Sequence, residues 1–293
     1  MSVQAYLMPR TTEQCLAELD RYAGEARLIA GGTDLMLWIQ RKQYSPAALI
    51  DVTGISEFRR LEVTGGELVL GAATTHAQAV VHPRVRELAP ALAEACASVG
   101  SPQIRNLATV VGNVVSAQPA GDAAVALVAL GAQAEIASTA GRRMEAVEAL
   151  YAGFGQSKID SSREVVTQLR LTLPGPGSGS AFMRIAPRNA LALPVINTAV
   201  VVHTAAGKVT AARIAIGPVA ARPFRPLQAE SVLAGARVDD TDAIEAAALA
   251  ASREVNPRDS LLRGSAAYRR QLVKVLVGRA LRAALQRATG QAS

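Results

Sequence analysis

The residues best suited to chemistry lie in two glycine-bearing segments, Ala30-Gly31-Gly32-Thr33-Asp34-Leu35 and, about eighty residues later, Thr109-Val110-Val111-Gly112-Asn113. Glycine has no Cβ, so the backbone N–H groups around it can approach a diphosphate closely, and a helix starting there adds partial positive charge. Two such loops could hold one dinucleotide between them, although Gly31-Gly32 taken alone reads first as a tight turn. The P-loop signature, a GxGxxG between strand and helix, and a GxSxG nucleophile elbow are all missing, which removes three common enzyme classes. Cys15 and Cys96 are the only cysteines and cannot supply the four ligands of an iron–sulfur cluster or a cysteine-only zinc site. His76, His82 and His203 have no metal-ligand spacing and read as ordinary surface or core imidazoles, so no metal site is expected.

The elements that would position these loops can be read from periodicity and turn residues. A short strand, a helix over about Thr12 to Tyr22 and a strand from Arg27 to Ala30 precede the first loop, and Thr33 or Asp34 should cap a helix beginning at Leu35. Gly65-Gly66 launches a strand over Glu67 to Ala73, followed by a helix over Glu87 to Ser98. Val99 to Asp122 reads as a long functional loop between apolar helices. A helix over Ala123 to Leu130 and strands over Ala132 to Ala137 and Glu164 to Leu173 complete this part. Pro174 to Gly179 has linker composition and marks a domain boundary. Beyond it, Val195 to His203 and Val209 to Gly217 read as a hairpin, with helices near Leu227 to Leu233, Asp242 to Glu254 and Ala266 to Ala288.

With 293 residues, half of them hydrophobic, the chain can bury roughly 75% of its unfolded surface without disulfide or metal staples. No apolar run approaches the ~18 residues of a membrane-spanning helix, and the first twelve residues lack a secretory signal, so no membrane insertion and a cytoplasmic location are expected. The net charge of +7 is matched by one segment, Arg253 to Arg287, where nine basic residues face Glu254 and Asp259. Aromatic residues make up 3% of the chain and Tyr268 is the one ring in that segment, which argues against nucleic acid as its partner. A solvated or subunit-facing helix is the plainer reading.

The stretch Ser98-Val99-Gly100-Ser101-Pro102-Gln103-Ile104-Arg105-Asn106-Leu107-Ala108-Thr109 through Gly112-Asn113 to Gly121-Asp122 resembles the flavin-binding subunit of the xanthine dehydrogenase and carbon monoxide dehydrogenase family of molybdenum hydroxylases. The first glycine loop, Leu70 to Thr75, and Phe182-Met183-Arg184 with Arg188 extend the resemblance over nearly the whole chain. It implies an α+β protein: a two-subdomain FAD-binding fold (PCMH-like) over residues 1–175, with subdomains of about 1–60 and 61–175, then a C-terminal α+β domain over 180–293 with a small antiparallel sheet and helices. It also implies an FAD-binding medium subunit that accepts electrons from [2Fe-2S] clusters of an iron–sulfur small subunit and passes them to an external acceptor. Substrate hydroxylation would belong to a molybdopterin large subunit, in a dimer of heterotrimers.

The cofactor-binding residues implied by the resemblance are Ala30, Gly31, Gly32, Thr33, Asp34, Leu35, Val99, Gly100, Thr109, Gly112, Asn113, Val115, Ser116, Asp122, Val166 and Arg184, with no catalytic acid or base. Residues 30–34 and 109–113 should wrap the FAD phosphates, with Val99 and Gly100 near the flavin. Asp122 is open to two readings, a cofactor contact or the N-cap of the following helix, and Thr109 and Ser116 could equally satisfy local backbone. Val111 replaces a usual glycine and Arg184 a usual lysine, whose cation could stabilise reduced flavin. Two rival readings are a stand-alone flavin oxidase, which would purify alone and active, and a non-catalytic nucleotide-binding or assembly protein, which would purify colourless.

Overall fold

The computed structural model describes residues 3–290; Met1, Ser2 and residues 291–293, which the expected domain limits include, lie outside the described residues. The chain opens with β1 (Ala5–Leu7), α1 (Thr12–Arg21), β2 (Ala26–Ile29), α2 (Leu35–Gln40) and β3 (Ala48–Asp51). Both β1 and β2 pair with β3 in parallel, giving a three-stranded sheet in the order β1-β3-β2. Parallel neighbours need a crossover connection, which α1 and α2 provide here. The carboxyl end of β2 therefore delivers the first glycine loop to one edge of this small sheet.

The second unit contains β4 (Leu61–Thr64), β5 (Glu67–Gly71), α3 (His76–Val81), α4 (Pro83–Leu88), α5 (Pro90–Ala97), α6 (Pro102–Leu107), α7 (Val110–Val115) and α8 (Asp122–Ala129). It continues with β6 (Gln133–Ser138), β7 (Gly141–Ala146), β8 (Tyr151–Gly153), β9 (Gln156–Ser157) and β10 (Glu164–Thr172). Five strands make an antiparallel sheet in the order β4-β5-β10-β6-β7, so the long β10 lies at its centre. The helix expected over Glu87 to Ser98 is in fact two, because Pro90 lacks an N–H and disfavours helical geometry at Ala89, whose φ is −135° and ψ 55°. The loop expected over Val99 to Asp122 likewise contains two short helices, each started by a hydroxyl cap: Ser101 accepts from Ile104 N–H, and Thr109 from Gly112 N–H.

The C-terminal part has β11 (Ser178–Ile185), β12 (Ile196–Ala205), β13 (Lys208–Gly217), α9 (Leu227–Val232), α10 (Thr241–Glu254) and α11 (Ala266–Ala288). Its three strands form an antiparallel sheet in sequence order, and α11 packs on β11 and β12 through a buried face that includes Val273, Val277, Ala280, Leu281 and Ala284. The β12–β13 turn places Ala206 at φ +50° and Gly207 at φ +74°, the paired positive values of a two-residue hairpin turn.

All eight residues of α8 are buried, and the helix packs between α5 and the sheet of the C-terminal part. Its orphan backbone groups are satisfied from outside itself: Asn113 Oδ1 accepts from Ala124 N–H at 3.1 Å, while Arg213 on β13 donates to the carbonyls of Val128 and Ala129, both at 3.0 Å. Glu94 on α5 adds a second tie, accepting from Phe182 N–H at 2.8 Å and pairing with Arg287 on α11. No helix among the described residues is long and apolar enough to cross a membrane.

Candidate functional site

A cleft of about 730 Å³ runs between the first two units and reaches the segment after β11. This lies within the usual size of small-molecule pockets, roughly 300–1,000 Å³. Fifteen of the sixteen cofactor-binding residues expected from the sequence line it: Ala30, Gly31, Gly32, Thr33, Asp34, Leu35, Val99, Gly100, Thr109, Gly112, Asn113, Val115, Ser116, Asp122 and Val166. Arg184 does not line it and sits behind its wall.

The two glycine loops meet. A Cβ on Gly31 would lie 2.0 Å from the Leu107 carbonyl oxygen and 2.9 Å from Ala108 Cα, so the first loop touches the backbone of the second at a point where only glycine fits. Gly32 has φ +68°, a left-handed conformation that costs glycine nothing. The amides of Gly31 to Leu35 donate to no acceptor among the described residues, and the next amide, Met36 N–H, is the first to return to the chain, at Gly32 O. A run of five unpaired N–H groups on a cleft wall is a cradle for phosphate oxygens. Asp34 occupies the cap position of α2 but makes no side-chain cap bond, because its backbone (φ −98°, ψ −46°) is already helical whereas a capping side chain needs an extended backbone.

The second loop is held from beneath. His76 N–H donates to Ala108 O at 3.0 Å and Val110 N–H to Thr74 O at 2.9 Å, which ties the turn between α6 and α7 to the start of α3. Thr109 caps α7, and the Ser116 hydroxyl donates to Asn113 O at 3.0 Å, so both hydroxyls serve local backbone while facing the cleft. Asp122 is not the N-cap of α8, a place taken by Gly121. Its buried carboxylate instead accepts from Asn197 Nδ2 at 2.6 Å and from Arg184 Nη1 at 3.0 Å. Burial pushes the Asp122 pKa up, and the Arg184 charge and the Asn197 bond pull it part of the way back.

Arg184 also donates to Ser98 O at 2.6 Å and to Ala192 O at 2.5 Å. It thereby pins the segment of residues 186–194 against the cleft, where Leu191 N–H donates to Gly100 O at 3.1 Å. Leu191, Ala192, Leu193 and Pro194 form the lip at this end. Residue types alone carry no sign of this lip, because it depends on where β11 ends relative to Gly100. His76 is another wall residue that sequence reading passed over as an ordinary imidazole. It is fully buried, its Nδ1 lies 3.3 Å from Cys96 Sγ, its Nε2 has no partner among the described residues, and desolvation lowers its pKa to about 4. Arg27, Trp38 and Tyr44 also line the cleft.

The unpaired amides, the glycine contact and the apolar walls suit an extended dinucleotide with a central diphosphate, and FAD fits that description. Comparison with known proteins gives the same cofactor. Residues 1–174 match the family described as the FAD binding domain in molybdopterin dehydrogenase, and residues 181–284 match the CO dehydrogenase flavoprotein C-terminal domain. The chain is 33% identical over 235 residues to the nicotinate dehydrogenase FAD-subunit of Eubacterium barkeri, covering 79% of each chain. It is 29% identical to the carbon monoxide dehydrogenase medium chain of Hydrogenophaga pseudoflava, covering 96% of this chain and 97% of that one. The solved carbon monoxide dehydrogenase structure from Hydrogenophaga pseudoflava superposes with a TM-score of 0.90 at 29% identity, over 97% of both chains. Loops, cleft and relatives thus agree: the chain belongs to the family of FAD-binding medium subunits of molybdopterin dehydrogenases, and it is an oxidoreductase subunit.

Proposed function

We propose that this chain is the electron-transfer subunit of a molybdenum hydroxylase complex, accepting electrons from [2Fe-2S] clusters of an iron–sulfur small subunit and passing them to an external acceptor. Substrate hydroxylation then belongs to a molybdopterin large subunit, and the assembly is a dimer of heterotrimers working in the cytoplasm. The observation that supports this best is the contact of Gly31 with Leu107 and Ala108, which gathers fifteen expected residues around one cleft.

What FAD supplies when bound is redox chemistry, with electrons taken up singly and released in pairs. The chain's part is to hold and shield. The Gly31 to Leu35 amides and the Gly112 region bind the diphosphate, while buried Val111, Val165 and Val166 exclude water from the cleft. Arg184 fixes the lip through Ala192 and, because its charge is set against Asp122, acts as a positioning residue and not as a free cation for the flavin. No side chain of this subunit need act as acid or base. The exposed cations Arg253, Arg258, Lys274, Arg279 and Arg282 are offered as part of the partner contact; reversing several of them should impair assembly.

The test is the purified complex. Denaturation should release FAD in a one-to-one ratio with this chain, and substrate added under anaerobic conditions should bleach the flavin only when the other two subunits are present. A colourless complex, or a lone chain that oxidises its own substrate, would overturn the reading.

A further inference from the structure

Among the described residues, the two most exposed large apolar side chains are neighbours, Leu261 and Leu262, at the tip of the turn between α10 and α11, and neither lines the cleft. A single exposed leucine is ordinary, but this pair is held out in water by a hydrogen-bonded turn. Ser260 N–H donates to Gly264 O at 3.1 Å and Gly264 N–H to Ser260 O at 2.9 Å. The Ser260 hydroxyl accepts from the N–H groups of Leu262 at 3.3 Å and Arg263 at 3.2 Å, and Asp259 Oδ1 accepts from Ala266 N–H at 2.6 Å. Gly264, at φ +82°, lies against the Tyr268 ring, where a Cβ would come within 2.8 Å of Cδ1. Tyr268 and Val275, both exposed, stand two helical turns apart on one face of α11, so the turn continues into a helix face that also keeps apolar groups in water.

The charge at the foot of this turn is unbalanced. Arg269 is buried and donates to the carbonyls of Arg258, at 2.8 Å, and Pro218, while its Nε has no partner among the described residues. Burial, and after it the charges of Arg263 and Arg258, pull the Arg269 pKa below its ordinary value, with no carboxylate among the described residues to oppose them. Three cations gathered without a counter-charge repel one another in the lone chain, and a carboxylate brought from outside would relieve them. We propose that the Leu261–Leu262 tip and the arginines at its foot dock into an apolar socket bordered by carboxylates on a partner subunit. The inference rests on the multi-subunit reading above and adds to it the apolar anchor and the chemistry of the surface that receives it. The planar fork of arginine matches a carboxylate two bonds at a time, and arginine and tyrosine are the polar residues that protein interfaces favour. Neither tryptophan nor phenylalanine, the rings that anchor segments at a lipid surface, lies in the turn or on α11.

The test is association of the full-length chain with the iron–sulfur and molybdopterin subunits, followed by sedimentation. Leu261→Glu with Leu262→Glu should leave the lone chain folded, with FAD binding unchanged, and should weaken association by roughly tenfold or more, the scale of taking one leucine out of water. Arg263→Gln removes one of the three like charges, so the lone chain should resist urea at least as well as wild type while its association weakens. A purely structural arginine would not give those opposite signs. Wild-type affinity in either variant would overturn the proposal and leave the FAD-subunit reading standing. Two other results would also overturn it, by giving the tip to another occupant: binding of the wild-type chain, and not the leucine variant, to phosphatidylserine–phosphatidylcholine vesicles, or a wild-type homodimer that the leucine variant dissolves. A wild-type chain that associates with neither subunit would overturn both readings.

Discussion

The guanidinium of Arg184 and the carboxylate of Asp122 meet at 3.0 Å across 62 residues of sequence, in a place where the two side chains are only 14% and 7% exposed. An ion pair this buried is costly to break from one side, because the abandoned charge stays out of water. Arg184→Met should therefore destabilise the chain by about 3–5 kcal/mol and free the lip at Ala192, with faster loss of flavin. Arg184→Met combined with Asp122→Asn should recover part of the stability and none of the lip contact. Chemical denaturation and flavin release of the four-member cycle separate the two effects.

Gly31→Ala puts a methyl group into the Leu107 carbonyl, at 2.0 Å, and backbone cannot move aside cheaply there. The expected result is a protein that folds each unit but holds the loops apart, with FAD affinity reduced at least tenfold. Gly65→Ala is a fitting control, since its left-handed φ of +57° makes alanine strained while no atom lies near the added methyl group. Isothermal titration with FAD should show the loss at Gly31 alone.

The buried His76 predicts an acid limb of stability. Its folded pKa of about 4 lies below the ordinary 6.5, so between those values the unfolded chain binds a proton that the folded chain does not. The stability it contributes is complete above 6.5 and falls as pH drops, by about 1.4 kcal/mol per unit and roughly 3 kcal/mol in all. Urea melts at pH 7 and pH 4.5 should show this drop in the wild type and a smaller one in His76→Gln.

Cys15 and Cys96 are both fully buried, and desolvation raises both thiols, that of Cys15 to about 12. Neither should react with a disulfide reagent at pH 8 in the native chain, and both should react in denaturant. Fast reaction of Cys96 in the native state, located by peptide mapping, would show that the α3–α5 packing around it opens readily.

The two loops and their meeting on one cleft were legible because they depend on backbone chemistry, and glycine advertises backbone chemistry by its absence of side chain. The hairpin around Gly207 was legible for the same reason. What escaped is what tertiary contact alone creates. Asn113 spends its side-chain oxygen on α8, Asp122 finds Asn197 seventy-five residues away, and Arg184 ends in a pair and not beside open space. Nothing local distinguishes Trp38 and Tyr44 from an ordinary apolar patch until β2 places Arg27 beside them. Pro90 was visible in the sequence, yet the apolar run around it suggested one helix where the proline makes two. Ser178 to Gly179 looked like linker but belongs to β11, where a Cβ on Gly179 would strike the Ala284 carbonyl at 2.0 Å, so its glycine is there for helix packing and not for flexibility.

Because Arg213 holds the end of α8, Asn197 holds Asp122 at its start, and Glu94 reaches both Phe182 and Arg287, the peptide joining residue 173 to residue 177 bears little of the load between the halves. Severed at that peptide, the polypeptide would still travel as a single particle. The covalent link serves mainly to ensure that both pieces are synthesised together, and the second piece keeps its lip on the cleft through their shared interface.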